Sequence, residues 1–287
     1  MSVSHYENFP VASVLCPPSL RAPVAAIYWF ARTADDIADE GPDLAPARLA
    51  TLEAYHADLR ATHSGLPCSS RWPHVFLPLR RAIVEHDLPL RPLEDLLLAF
   101  RQDCQNPAYE TRAQLLDYCR LSANPVGRLL LHLYGIGSTQ VASRSDQVCT
   151  ALQLINFWQD LGVDASRGRV YVPRSDLVRH QLDASDLTAA GGPAPVRAMM
   201  AELCHWARDL MLDGSGIAFD VPGRAGWELR LVVQGGLRVL DRIEAIGFDT
   251  TRRRPRLGLL DLSWMLWHAL TMRRPAAGPA PADNQAS

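Results

Sequence analysis

The chain contains no lysine: all 29 of its basic residues are arginine. That removes Schiff-base chemistry, a pyridoxal phosphate anchor and a P-loop together. Cysteine is sparse, and the six residues at 16, 68, 104, 119, 149 and 204 include no CxxC pair. Neither a zinc ribbon nor a redox dithiol is therefore expected, and reduced thiols in a cytoplasmic protein are the simplest account. Excess charge is missing as well: 29 basic against 31 acidic residues leave a formal net charge of −2. Nothing points to nucleic acid as a partner. No run approaches the roughly 18 apolar residues of a membrane span. The first eight residues, Met1 to Asn8, have neither the basic start nor the apolar centre of a signal peptide. Alternating β-branched runs and solenoid-period repeats are also absent, so strands are not expected.

What remains is a chain of 287 residues, 48% hydrophobic and 21% charged, in the range of a folded globular protein. Its most informative stretch is Arg32-Thr33-Ala34-Asp35-Asp36-Ile37-Ala38-Asp39-Glu40, which follows the apolar run Ala25–Ala31. On a helix, Tyr28, Arg32, Asp35 and Asp39 share one face. A second stripe, Asn156, Asp160 and Asp164, follows the apolar run Ala151–Ile155 at i, i+4 and i+8. Buried carboxylates without a counterion cost several kcal/mol each. Two such stripes on two helices therefore suggest one cavity holding a hard cation such as Mg²⁺. Either stripe alone reads equally well as a solvated face.

In chain order, helices are expected at about 21–40, with Pro23 in the first turn and Gly41-Pro42 as the stop, and at 46–62, 73–87 and 92–105. Thr111 is a plausible N-cap for the next helix, which Pro125 should break or kink near Ser122, Ala123 and Gly127. Residues 166–173 form a loop beside the second stripe, able to close over an anion, and 182–195 read as another loop. Helices near 196–217 and 225–246 complete the core. Arg252, Arg253, Arg254 and Arg256 precede a last segment from Leu257 to Leu270 carrying Trp264 and Trp267. That combination suits a membrane surface, and it suits a docked helix beside a solvated arginine run equally well. Residues 1–272 are expected to form one all-α domain, and 273–287 a disordered tail.

Taken in order, five pieces resemble the squalene and phytoene synthase family of head-to-head prenyl synthases. They are His5-Tyr6-Glu7-Asn8-Phe9, Tyr28-xxx-Arg32-xx-Asp35-Asp36-xx-Asp39, Tyr118-Cys119 with Val126-Gly127, Gln153-xx-Asn156-xxx-Asp160-xxx-Asp164, and Arg169-Val170-Tyr171. The first motif, the first acidic stretch and Ser122-Ala123-Asn124-Pro125-Val126-Gly127 look like the bacterial HpnC subgroup, assigned to hydroxysqualene formation in hopanoid biosynthesis.

The resemblance implies a single isoprenoid synthase fold with a central cavity. It implies that Asp35, Asp39, Asn156, Asp160 and Asp164 hold Mg²⁺, and that His5, Asn8, Tyr28, Arg32 and Gln153 touch the diphosphate-bearing substrate. Tyr118 and Tyr171 match tyrosines near the reacting carbons, and Asn124 is a candidate for holding a water. Phe157 and Trp158 are candidate aromatic faces for a carbocation.

Three positions depart from members that condense two farnesyl diphosphates. Glu7 stands where many have Lys. Gln159, grouped here with the substrate-binding residues, stands where they often have Arg. Gly236 stands where a late-helix tyrosine aligns. Each lost cation is worth roughly 4 kcal/mol of gross attraction at about 4 Å and an effective dielectric near 20. Fewer cations fit one diphosphate rather than two, hence presqualene diphosphate as substrate, water as the capturing nucleophile and hand-over to later squalene-pathway enzymes. The alternatives are a synthase condensing two farnesyl diphosphates and a non-catalytic helical scaffold.

Overall fold

The computed structural model describes residues 16–41, 43–188 and 192–274. Among them there is no strand, only helices and their connections. The order is α1 (Pro18–Asp39), α2 (Ala45–His63), α3 (Pro73–His86), α4 (Leu90–Asp103), α5 (Arg112–Ser122), α6 (Asn124–Leu133), α7 (Thr139–Ser166), α8 (Arg174–Arg179), α9 (Ala194–Gly214), α10 (Ile217–Asp220), α11 (Gly223–Ala245) and α12 (Leu259–Thr271), with a 3₁₀ turn at Ala184–Leu187. His5, Asn8, Glu7 and the expected tail beyond 274 lie outside the described residues.

Local chemistry explains most boundaries. α1 begins a turn earlier than expected because Pro18 opens it, where a missing N–H costs no helical bond, so Pro23 lies inside the helix. Gly41 leaves it at φ 90°, a conformation glycine adopts without strain. The Thr111 hydroxyl accepts from the Gln114 N–H and caps α5. The chain then breaks at Ala123 and restarts with Pro125 in the first turn of α6. α8, α10 and the 3₁₀ turn have six, four and four residues, too short to show a period in the sequence.

Two apolar cores form. Phe30, Tyr55, Phe76, Leu79 and Leu93 centre the one built from α1–α4, with Leu129 and Leu133 from α6. Trp158, Leu154, Met200, Leu203 and Val233 centre the other, where α7 packs along α9 and α11. α12 docks on α11 through Asp261, which is 1% exposed. Burial alone would push that carboxyl up. The Gly258 N–H and the guanidinium groups of Arg242 and Arg238 outweigh it and hold the pKa down at about 2.

Candidate active site

Where the two cores meet lies a cavity of about 730 Å³, within the range of roughly 300–1,000 Å³ typical of ligand pockets. α1 supplies Tyr28, Arg32, Asp35 and Asp39; α5 supplies Tyr118 and Ser122; α7 supplies Gln153, Asn156, Phe157 and Asp164. The connection after α7 closes it with Arg167, Arg169 and Tyr171, while Phe100 and Asp103 come from α4. Ten of the sequence candidates thus meet in one place: Tyr28, Arg32, Asp35, Asp39, Tyr118, Gln153, Asn156, Phe157, Asp164 and Tyr171.

The carboxylates carry the electrostatic signature of a site that wants a cation. Asp35 is raised to about 6, by burial first and then by the charge of Asp39. Asp164 is raised to about 7, by burial and then by Asp160. Arginines partly answer this demand. Arg169 grips Asp39 with two bonds of 2.6 and 2.5 Å, tying the loop after α7 to α1 across the cavity. Arg32 lies 3.3 Å from Asp35 and also pairs with Asp36 and Glu40.

Among the described residues no three acidic, His or Cys side chains converge as a finished metal centre. Oxygen-only donors, like-charged carboxylates with raised pKa and an arginine on Asp39 nevertheless fit Mg²⁺. That ion characteristically takes one or two carboxylates plus phosphate oxygens.

Four candidates lie elsewhere. Asp160 does not line the cavity; Arg254, from the connection between α11 and α12, pairs with both its oxygens. Gln159 is fully buried and donates its amide to the Pro255 carbonyl, so it anchors the segment that carries Arg254 instead of facing substrate. Asn124 is buried, does not line the cavity and accepts from the Thr150 hydroxyl at 3.0 Å, a bond between α6 and α7. Trp158 is fully buried in the core behind Phe157 and presents no face to the cavity. At Gly236 an added Cβ would lie 2.6 Å from Met211 Cε, so this position faces the packed core of α11.

Sequence reasoning missed Asp103. It ends α4 inside the cavity and accepts from the Tyr118 hydroxyl at 3.0 Å. Burial raises its carboxyl to about 7, with the Tyr118 bond opposing and the Asp39 and Asp35 charges adding to the rise. The signal available was a single Asp at the end of an amphipathic helix, with no partner at helical spacing. Around it Tyr109, Tyr118, Phe157 and Tyr171 form an aromatic wall, Phe157 and Tyr171 stacking at 3.8 Å and 8°.

This geometry can bind an anionic head group at its acidic, arginine-bearing end and shield a cation along its aromatic side. Known proteins share this sequence pattern and architecture. The squalene/phytoene synthase family profile matches residues 3–261. A hydroxysqualene synthase of Rhodopseudomonas palustris is 35% identical over 79% of this chain and 75% of its own length. One of Zymomonas mobilis is 37% identical over 74% and 70%. The crystal structure of squalene synthase HpnC from Alicyclobacillus acidocaldarius superposes with a TM-score of 0.77 at 36% identity, covering 85% of this chain and 90% of that one. A dehydrosqualene synthase at 21% identity and TM-score 0.72 shares the fold. With most of its described motif residues gathered on one cavity and the family profile matched over residues 3–261, the chain belongs to the squalene/phytoene synthase family.

Proposed function

We propose that the protein is a hydroxysqualene synthase, converting presqualene diphosphate and water to hydroxysqualene and diphosphate. The observation that carries this reading is the cavity itself, acidic and arginine-bearing at one end and aromatic along its wall. Relatives named hydroxysqualene synthase support the choice of reaction. Arg32 and Tyr28 would orient the diphosphate, with Gln153 beside them and His5 and Asn8 from the N-terminal motif. Asp35, Asp39, Asn156 and Asp164, joined by Asp160 on release from Arg254, would hold Mg²⁺, which neutralises the charge of a departing diphosphate. As the diphosphate leaves with the bonding pair, Tyr118, Phe157 and Tyr171 face the rearranging cyclopropylcarbinyl cation, each worth about 0.5–2 kcal/mol. Their apolar wall keeps water off until the rearrangement ends.

The test is incubation of purified protein with presqualene diphosphate and Mg²⁺ in ¹⁸O-labelled water. Labelled hydroxysqualene is expected. Presqualene diphosphate or squalene made from farnesyl diphosphate as the main activity overturns the reading in favour of a condensing synthase. Against the condensing alternative stands Gly236, packed in the core with no side chain to offer the cavity. A scaffold would show no Mg²⁺-dependent thermal stabilisation by diphosphate.

Among the described residues no helix is long and apolar enough to cross a membrane. α12 nonetheless exposes Leu259, Leu260, Leu262, Leu266, Trp267 and Leu270 on its outer face. Exposed Arg252, Arg253, Arg256 and Arg273 flank it. This face is proposed to rest on an anionic bilayer, the charge of the flanking arginines selecting that occupant.

A further inference from the structure

A second opening of about 410 Å³ lies behind the aromatic wall, lined by Gln102, Gln105, Tyr109, Gln114 and Asp117 and sharing Tyr118 with the main cavity. The partition is thin. Gln102 and Gln105 face the outer groove, while Asp103 between them faces the cavity. Tyr109 stands in the partition, 6% exposed, its ring packed on Tyr118 and Tyr171. Its hydroxyl is buried and has no hydrogen-bond partner, which costs free energy unless a ligand satisfies it. The Asp103 charge is near enough to help push that hydroxyl's pKa up, after burial. A buried orphan hydroxyl beside a half-buried carboxylate, next to a groove bearing glutamine and aspartate side chains, has the chemistry of a water site.

We propose that the water consumed in the reaction enters through this groove and is held between the Tyr109 hydroxyl and the Asp103 carboxylate. This rests on the hydroxysqualene synthase reading and deepens it. The water oxygen forms the new C–O bond with the cation. One of its O–H bonds breaks, the proton passes to an Asp103 oxygen, and Asp103 returns it to solvent through the groove. The diphosphate has already departed with its electron pair, so no other reactant is required. Tyr118, donating to Asp103, keeps that carboxylate turned to the wall.

The measurement is the ratio of alcohol to elimination hydrocarbons formed from presqualene diphosphate. Tyr109→Phe keeps the ring stack and removes only the hydroxyl. It is expected to lower the ratio about three- to tenfold, the worth of one hydrogen bond. Asp103→Asn, which can hold water but not take its proton, is expected to lower it further. A merely structural defect would reduce total turnover and leave the ratio unchanged. Alcohol from wild type, with wild-type ratios in both helical, active variants, overturns the water site and leaves the reaction standing. No alcohol from wild type overturns both.

Discussion

Asp35, Asp103 and Asp164 sit above the ordinary carboxylate range, at about 6, 7 and 7, because burial first, and then the charge of Asp39 beside Asp35 and Asp103 and of Asp160 beside Asp164, disfavours ionisation. A carboxyl whose folded pKa exceeds its unfolded value, about 3.9, binds more protons folded than unfolded between those two values. The stability it contributes is therefore lost as pH rises through roughly 4 to 7. Asp261 has the opposite sign: held down at about 2, it contributes stability at neutral pH that fades as pH falls toward that value. Mg²⁺ with diphosphate should relieve Asp35 and Asp164 and leave Asp261 unaffected. The rise in melting temperature on adding both is thus expected to be larger at about pH 8 than at about pH 5. Equal rises would show that these carboxylates do not meet the ion. Asp35→Ala should abolish that rise and turnover together while the far-ultraviolet circular dichroism stays helical.

At the scale of the element, α7 is positioned by close backbone approach. A Cβ at Gly162 would lie 2.2 Å from the Thr251 carbonyl oxygen, a backbone atom with little room to give. Gly162→Ala is expected to cost about 1–3 kcal/mol, as overpacking does. It should also lower activity by shifting the connection that delivers Arg254 to Asp160. Gly137→Ala, with nothing within 4 Å, is the control and should be near neutral. A denaturant midpoint for Gly162→Ala equal to that of the control would show that the connection yields freely. The same elements mark what the sequence could tell. Tyr28, Arg32, Asp35 and Asp39, and likewise Asn156 and Asp164, were legible because helical spacing puts them on one face, whereas Gln153 was legible only through the family resemblance and Asp160, at the same spacing, turns to Arg254. Arg254, Asp103 and Tyr109 were not. Each reaches the site or its wall by tertiary packing of distant segments, and Gln159 gave no local sign that its amide belongs to Pro255. The bond from Thr150 to Asn124 was not legible either, since Thr150 lies on another helix.

At the scale of the whole molecule, α12 carries more exposed large apolar side chains than any other element among the described residues, Leu260 being 82% and Trp267 65% exposed while Met265 and Ala269 turn inward. The proposed greasy substrate and product would give such a face a use: docking on a bilayer would place the protein where these molecules dissolve. Exposed Arg252, Arg253, Arg256 and Arg273 would add about 1 kcal/mol each near an anionic surface, and salt would weaken this over a Debye length of about 8 Å. The protein is expected to co-sediment with phosphatidylglycerol vesicles, less with phosphatidylcholine vesicles, and less again as salt rises. Replacing both Leu260→Asp and Trp267→Asp removes apolar contact without touching Asp261, the anchor of α12 on α11. That variant should lose vesicle binding while keeping turnover of detergent-dispersed substrate. Failure of the wild type to sediment with anionic vesicles would refute the membrane contact. A dimer in light scattering that the double variant abolishes would assign the same face to a second copy of the chain.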